Sequence, residues 1–338
     1  MPMSPALPPT MRAVIVREAG APESMTLADI PLPVPGPGEV LVRVQAAGVN
    51  RPDLMQRKGQ YPPPPGASPI LGLEIAGEVV AKAPDAPDWP ALGTPVCALT
   101  NGGGYAAYCA VPAGQCLPWP DGFDAIRAAA LPETFFTVWS NLVMTAHVAP
   151  GERVLIHGGA GGIGTAAIQT VRVLGAVPYV TVGSTDKAAL CLKLGAEAAI
   201  DYREEDFVAR IDDLTGGRGV DVVLDVIGGP YLDRNLRCLA QGGRLVIIAL
   251  QGGAKAQEVG VARILTRHLT VAGTTLRPRD RAYKARVAEG LRAALWPALS
   301  DGTIAPLIHA TFPLAEVVAA HKLMESGSHS GKIVLDLR

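Results

Sequence analysis

The sequence predicts an α/β protein of two domains, one a mostly antiparallel, barrel-like β domain and the other a doubly wound parallel sheet. Three observations carry that reading. Short β-type runs broken by glycine and proline fill the first part of the chain. Six apolar strands rich in valine, isoleucine and leucine then alternate with segments long enough for crossover helices. A glycine-rich turn, GGAGGIG, follows the first of those six strands.

Taken in order, the β-type runs are MRAVIVREAG (11–20), GEVLVRVQAAGV (38–49), LEIAGEVVA (73–81) and GYAAYCAVPA (104–113). They place the first domain at 11–126. The second domain, 127–276, holds RVLIHGG (153–159), PYVTVG (178–183), AAIDY (198–202), VDVVLDVIGG (220–229), GRLVIIAL (243–250) and LTVAGTTL (269–276). These runs are nearly continuous in apolar residues rather than alternating, as strands covered on both faces require. A helix-rich stretch, RAYKARVAEGLRAALWPALSDG, precedes the final run GKIVLDL, and this tail, 277–338, is expected to complete the first domain.

Composition narrows the function. With 338 residues, 49% of them hydrophobic, the chain can bury large cores. A net charge of −1 and 5% aromatic residues leave no bulk case for nucleic acid or an anionic membrane. The five cysteines are an odd number without a C-x-x-C pair, which fits a reducing compartment and inert buried thiols. No apolar run is long enough to span a bilayer, and MPMSPALPPT lacks the features of a signal peptide, so the expectation is a soluble, cytoplasmic protein.

In GGAGGIG the G-x-G-x-x-G pattern is met by Gly159, Gly161 and Gly164, after strand residues Val154–Ile156 and before a helix with Ile163, Ala167, Val171 and Leu174 on one face. Gly159 is expected to make the tight turn, Gly161 to let a diphosphate approach and Gly164 to let helix and strand pack. The diphosphate of a dinucleotide then meets the free N–H groups and the positive end of the helix. The next strand ends Val182-Gly183-Ser184, with no carboxylate to claim the ribose hydroxyls. Ser184, Lys187 and Tyr202 instead suit a 2′-phosphate and favour NADPH, although Asp186 is an acidic neighbour.

The stretch 151–172, GERVLIHGGAGGIGTAAIQTVR, resembles the signature of zinc-free quinone oxidoreductases. The segment 48–74, GVNRPDLMQRKGQYPPPPGASPILGLE, resembles the stress-inducible, zeta-crystallin-related branch of the medium-chain dehydrogenase/reductase family. The resemblance implies a GroES-like domain, a Rossmann domain and a homodimer, or dimer of dimers, joined through the cofactor-domain sheets. It implies that Asn50, Asp53 and Tyr61 form the catalytic cleft. The loop Gly159, Ala160, Gly161, Gly162, Ile163 and Gly164 would hold NADPH, with Ser184, Lys187 and Tyr202 at its 2′-phosphate. Thr137, Ile227, Ala249, Leu250, Gln251, Thr274, Thr275, Leu276 and Lys332 would complete the cofactor contacts, together with Asn50.

No metal site is expected. Gly72-Leu73-Glu74 carries leucine, and Gly48-Val49-Asn50 carries asparagine, where zinc-dependent alcohol dehydrogenases of similar layout carry ligands. An acceptor that takes hydride without a Lewis acid is therefore expected. A quinone meets that requirement because it gains aromaticity on reduction. Tyr61, stiffened by the proline run in GQYPPPP, would donate to its oxygen, and Asn50 would orient ribose or substrate. Two other readings stand beside it: reduction of an enone, alkenal or enoyl thioester, and a non-catalytic NADPH-binding structural protein.

Overall fold

The computed structural model describes residues 7–338. They fall into two units, one ending at Glu133 and resuming at Asp280, the other running Thr134–Arg279. Both boundaries lie a few residues beyond the expected 126/127 and 276/277, because the helix that follows position 131 is shared out at Glu133 and the exit loop extends to Arg279.

In chain order the first elements are β1 (Thr10–Val16), β2 (Met25–Pro31), β3 (Glu39–Val49), α1 (Arg51–Arg57), β4 (Glu74–Lys82), β5 (Pro95–Leu99), β6 (Tyr108–Pro112) and β7 (Cys116–Pro118). Two helices follow, α2 (Ala125–Ala129) and α3 (Pro132–Val138), the second continuing into a π turn at Trp139–Val143. Then come β8 (Arg153–His157), α4 (Gly162–Val173), β9 (Val177–Val182), α5 (Thr185–Lys193), β10 (Ala198–Asp201), α6 (Phe207–Thr215) and β11 (Val220–Asp225). The chain continues through α7 (Leu232–Cys238), β12 (Leu239–Ile247), α8 (Val261–Thr266), β13 (Thr270–Gly273), α9 (Arg281–Ala294) and α10 (Trp296–Ser300). It ends with β14 (Ile308–Pro313), α11 (Val317–Ser326) and β15 (Lys332–Asp336).

In the first unit a seven-stranded sheet runs β14-β15-β3-β4-β5-β7, with β6 also pairing β3, while β1 and β2 form a separate antiparallel pair. All its pairings are antiparallel except β14 with β15. The tail therefore does return to this unit. Ile333 pairs with Val49 and Asp336 with Ala46, so the register sets Lys332 at the end of β3, beside Asn50. Val40, Val42, Ile75, Val96, Tyr105 and Ile333 lie in one buried core. Strands β2, β5 and β7 had no separate signal in the sequence: β7 is three residues long, and β2 mixes apolar residues with Asp29 and is formed by its pairing to β1.

The second unit holds six parallel strands in the order β10-β9-β8-β11-β12-β13, the doubly wound arrangement. Every residue of β11 is buried, and so is all but the first residue of β8 and β9, as a sheet covered on both faces requires. Strand order reverses on either side of β8, so the carboxyl ends of β8 and β11 flank the switch point where such sheets bind ligands. β13 is different: it is one of the two outer strands, and three of its four residues are exposed.

Candidate active site

The turn between β8 and α4 is built from glycines for three separate reasons. The left-handed conformation falls on Gly158, with φ of 73°, and not on Gly159 as the motif suggested. Gly159 is required by a close approach, since a Cβ there would stand 2.6 Å from the Val180 side chain. At Gly164 a Cβ would lie 2.4 Å from the carbonyl oxygens of Gly158 and Gly159, so the helix packs directly on the loop. Gly161, the N-cap, is open: its nearest neighbour is the Gly158 oxygen at 3.5 Å. No side chain caps α4, and among the described residues its first-turn N–H groups at Gly162, Ile163 and Gly164 meet no acceptor. A cradle of unpaired donors at the positive end of a twelve-residue helix fits a diphosphate.

This cradle is fixed from behind. His157, at the end of β8, is buried, with Nδ1 2.9 Å from Thr181 Oγ1 and Nε2 2.7 Å from Asn235 Oδ1. Because Asn235 Oδ1 can only accept, Nε2 carries the proton and Nδ1 accepts from Thr181. Burial holds the imidazole pKa down at about 4, so the ring is neutral. The Phe207 and Tyr231 rings meet it edge-on at 5.0 and 4.9 Å.

Three residues gather at the carboxyl ends of β9 and β10. Ser184 caps α5, accepting the Lys187 N–H at 3.4 Å, and Lys187 is half-buried in the first turn with exposed Asp186 beside it. The Tyr202 ring lies over Gly183, where a Cβ would stand 2.7 Å from its hydroxyl oxygen. Further along the sheet edge, buried Asp225 accepts the N–H groups of Ile227 at 2.7 Å and Gly228 at 3.1 Å. Burial pushes its carboxyl up to about 6. Ala249 is half-buried while Leu250 and Gln251 are exposed, and the Gln251 N–H reaches the Val226 carbonyl at 3.1 Å. Thr137, Asn141 and Thr274 are linked: the Asn141 amide donates to the Thr137 carbonyl at 2.8 Å and accepts from the Thr274 hydroxyl. Thr275 is exposed and Leu276 half-buried.

The first unit contains a buried polar network that the sequence did not announce. Lys332, 3% exposed, places its ammonium 2.5 Å from Glu74 Oε1 and 2.5 Å from Asn50 Oδ1. Asn50 Nδ2 donates to the same Glu74 oxygen at 2.8 Å, and Glu74 Oε2 accepts the Glu133 N–H at 2.8 Å. Gly48 makes room: a Cβ there would fall 1.9 Å from Glu74 Oε1. Asp53 caps α1 by accepting the Asn50 N–H at 2.9 Å, and its other oxygen accepts the Gly72 N–H at 2.9 Å. Its first oxygen also accepts the Tyr105 hydroxyl at 3.2 Å.

The direction of the remaining bonds is forced. Arg57 can only donate, so His321 Nδ1, 3.2 Å away, accepts, and Nε2–H donates to the Tyr105 oxygen at 3.2 Å. Tyr105 must then donate to Asp53. Burial, reinforced by Arg57, holds His321 at about 3, in keeping with a neutral ring. The outer end of Arg57 pairs with Glu325 at 2.5 Å, which also takes Lys58 at 2.7 Å. Asn50, Asp53 and Lys332 are thus brought into one network, where Asp53 is a structural acceptor and Lys332 an ion-pair partner of Glu74. Tyr61 is half-buried in its proline loop. The local signal for Glu74 and Lys332 was absent because they are 258 positions apart and meet only through the β15–β3 register.

Two family models match, an alcohol dehydrogenase GroES-like domain over residues 36–121 and a zinc-binding dehydrogenase over residues 162–289. A quinone oxidoreductase of Lama guanicoe is 31% identical over 97% of this chain and 98% of its own length. The chain belongs to the medium-chain dehydrogenase/reductase family. Among other relatives, a mycocerosic acid synthase-like polyketide synthase of Mycolicibacterium smegmatis is 32% identical over 96% of the chain, which spans 15% of that protein's length. Three solved structures share the fold. An NAD-dependent alcohol dehydrogenase has a TM-score of 0.85 at 31% identity, covering 97% of this chain and 100% of its own. A mycobacterial protein complexed with NADPH has 0.84 at 30% identity, covering 96% and 100%. The CurK enoyl reductase has 0.83 at 28% identity, covering 96% and 99%. This medium-chain dehydrogenase/reductase is therefore an oxidoreductase that binds a nucleotide cofactor.

Among its described residues no group of three or more His, Cys, Asp or Glu side chains could hold a metal ion. The five cysteines are buried and free, and burial pushes Cys109, Cys116, Cys191 and Cys238 up to about 12. No helix among the described residues is long and apolar enough to cross a membrane.

The two buried histidines make stability depend on pH. His157 and His321 bind a proton in the unfolded chain near pH 6.5 but not in the native state until about pH 4 and 3, so the unfolded state holds more protons in between. Their stabilisation is complete above pH 6.5 and is lost as pH falls through that window. The urea midpoint will fall from pH 7 to 4.5, and His157→Gln will remove about one proton from the slope. The buried ion pair gives a second outcome. Lys332→Met will strand the buried Glu74 carboxylate and cost roughly 3–5 kcal/mol in urea unfolding, while adding Glu74→Gln will restore much of that loss.

Proposed function

We propose that the chain is an NADPH-dependent quinone reductase whose hydride transfer needs no metal. The observation that carries the reading is the uncapped start of α4, with a neighbouring edge formed by Ser184, Lys187 and Tyr202 and no carboxylate at the tip of β9. The likeness to quinone oxidoreductases over nearly the whole chain supports the same conclusion. The first-turn N–H groups of α4 bind the diphosphate, and Ser184, Lys187 and Tyr202 take the 2′-phosphate. Thr137, Ile227, Ala249, Leu250, Gln251 and Thr274–Leu276 border the nicotinamide and its ribose. When bound, NADPH supplies the hydride. Tyr61 donates a hydrogen bond to the acceptor oxygen, and the Glu74–Lys332 pair holds Asn50 rigid.

A second reading, reduction of an enone or enoyl thioester, draws on the likeness to the CurK enoyl reductase. Initial rates with NADPH and NADH against an ortho-quinone, an enone and an enoyl thioester decide between them. The quinone with NADPH is expected to give the highest kcat/KM, unchanged by a chelator. Tyr61→Phe will lower it by about 5- to 150-fold, the equivalent of roughly 1–3 kcal/mol. A best rate with the thioester transfers the assignment to the second reading, and no oxidation with any acceptor makes the chain a nucleotide-binding structural protein.

The assembly proposed is a homodimer joined through β13. That strand is one of the two edges of the parallel sheet, and Val271 is 41% exposed on it, with Val261 66% and Leu265 77% exposed on α8. Light scattering after size exclusion is expected to give twice the chain mass, reduced toward the single-chain mass by Val271→Lys with Leu265→Lys. A single-chain mass for the unaltered protein contradicts the assembly.

A further inference from the structure

Away from the dinucleotide cradle, the second unit carries a cavity of about 340 Å³ between α6, the end of α7 and α8. Three arginines line it: Arg237 in the last turn of α7, and Arg263 and Arg267 on and just after α8. The Arg267 N–H donates to the Arg263 carbonyl at 3.0 Å, so these two stand one helical turn apart on the same face. Val261 and Leu265, the exposed apolar residues of α8, lie on the other side, because a step of two residues turns a helix by about 200°.

These positive charges are not neutralised within the fold. Among the described residues Arg237 and Arg263 make no ion pair or side-chain hydrogen bond, and Arg267 donates only to the Leu239 carbonyl, at 2.7 Å. Two carboxylates share the lining. Asp206 is taken by Arg234 at 2.7 Å, whereas the Asp212 carboxylate accepts no hydrogen bond among the described residues. Each arginine gains from the helix end beside it, but like charges one turn apart repel. Three guanidiniums around one cavity therefore hold a local positive field that an anion relieves.

The cavity is separate from the α4 cradle. Gly219, Cys238 and Arg267, all on its lining, come just before β11, β12 and β13, at the amino ends of parallel strands. The cradle follows the carboxyl end of β8, at the opposite edge of the sheet. A six-residue strand such as β11 sets those edges about 20 Å apart.

The fork of a guanidinium matches the oxygens of a phosphate. A bare phosphate would leave Asp212 as a like charge beside it, whereas a ligand carrying hydroxyls next to its phosphate offers that carboxylate donors. The volume, at the lower end of the roughly 300–1,000 Å³ typical of small-molecule sites, suits one sugar ring, and buried Ile211 and Cys238 give the ring an apolar surface. We propose that this cavity is a second binding site, for a sugar phosphate, with the phosphate on Arg237, Arg263 and Arg267 and a ring hydroxyl on Asp212. The proposal goes beyond the reductase reading and does not depend on it.

Titration calorimetry of the full chain at low ionic strength tests it, with glucose 6-phosphate, inorganic phosphate and glucose as ligands. Glucose 6-phosphate is expected to saturate a single site and to bind at least about tenfold more tightly than inorganic phosphate, with no heat from glucose. Arg237→Gln combined with Arg263→Gln will weaken glucose 6-phosphate by at least about tenfold. Asp212→Ala will weaken it too, while leaving inorganic phosphate unaffected. Both variants will keep the NADPH affinity and a melting temperature no lower than that of the unaltered protein, because the altered side chains have no partners to lose. No saturable binding, or equal affinity in the unaltered protein and the arginine double variant, overturns the site. Equal affinity for glucose 6-phosphate and inorganic phosphate overturns the sugar phosphate as its ligand. The reductase reading stands in each case, since its cradle lies at the other sheet edge.

Discussion

A lysine from the last strand and a glutamate from the fourth form an ion pair inside the first unit, at 4% and 0% side-chain exposure. Withdrawing two charges from water costs several kcal/mol per ion, and the cost is met only when every remaining hydrogen-bonding site is filled. Here the sites are filled by Asn50, by the Glu133 N–H and by the close approach that Gly48 permits. One contact therefore constrains the β15–β3 register, the entry to α1 and the start of α3. The chain's end becomes part of the same local structure as residues 48–74.

The second unit follows the opposite logic. The donors at the start of its α4 are left unpaired, where the buried ion pair of the first unit has its hydrogen-bonding sites filled. Helix α4 begins without a cap, and the glycines around it are selected by steric contact with Val180 and with their own carbonyls. Rigidity comes from below, through neutral His157 between Thr181 and Asn235. An uncapped helix start costs stability in isolation, and that cost is recovered when an anion binds. Structure and cofactor affinity are thus linked through the same N–H groups.

Much of this architecture was legible in the residues. The six parallel strands and the helix after GGAGGIG follow from local pattern and strand chemistry, whereas the return of GKIVLDL to the β domain, though expected, is fixed only by its pairing with β3. The short strands β5 and β7 did not, because five- and three-residue segments carry too little periodicity. Gly159 illustrates a finer limit: the motif identifies a glycine, but whether it serves a left-handed turn or a side-chain contact depends on Val180, which lies on another strand. Asp53, expected at the catalytic cleft, caps α1 and accepts hydrogen bonds on both oxygens, a network its local sequence does not spell out. Tyr105, His321 and Arg57 were illegible, since they meet only after α11 packs against α1.

The central claim is that the α4 start and the Ser184–Lys187–Tyr202 edge form a site for a phosphorylated nicotinamide dinucleotide. Calorimetric titration of the ligand-free protein with NADPH and with NADH tests it most directly. A preference for NADPH of at least about tenfold, roughly 1.4 kcal/mol, is the result this account predicts. Equal affinity for the two dinucleotides, tighter binding of NADH, or no binding of either would contradict it.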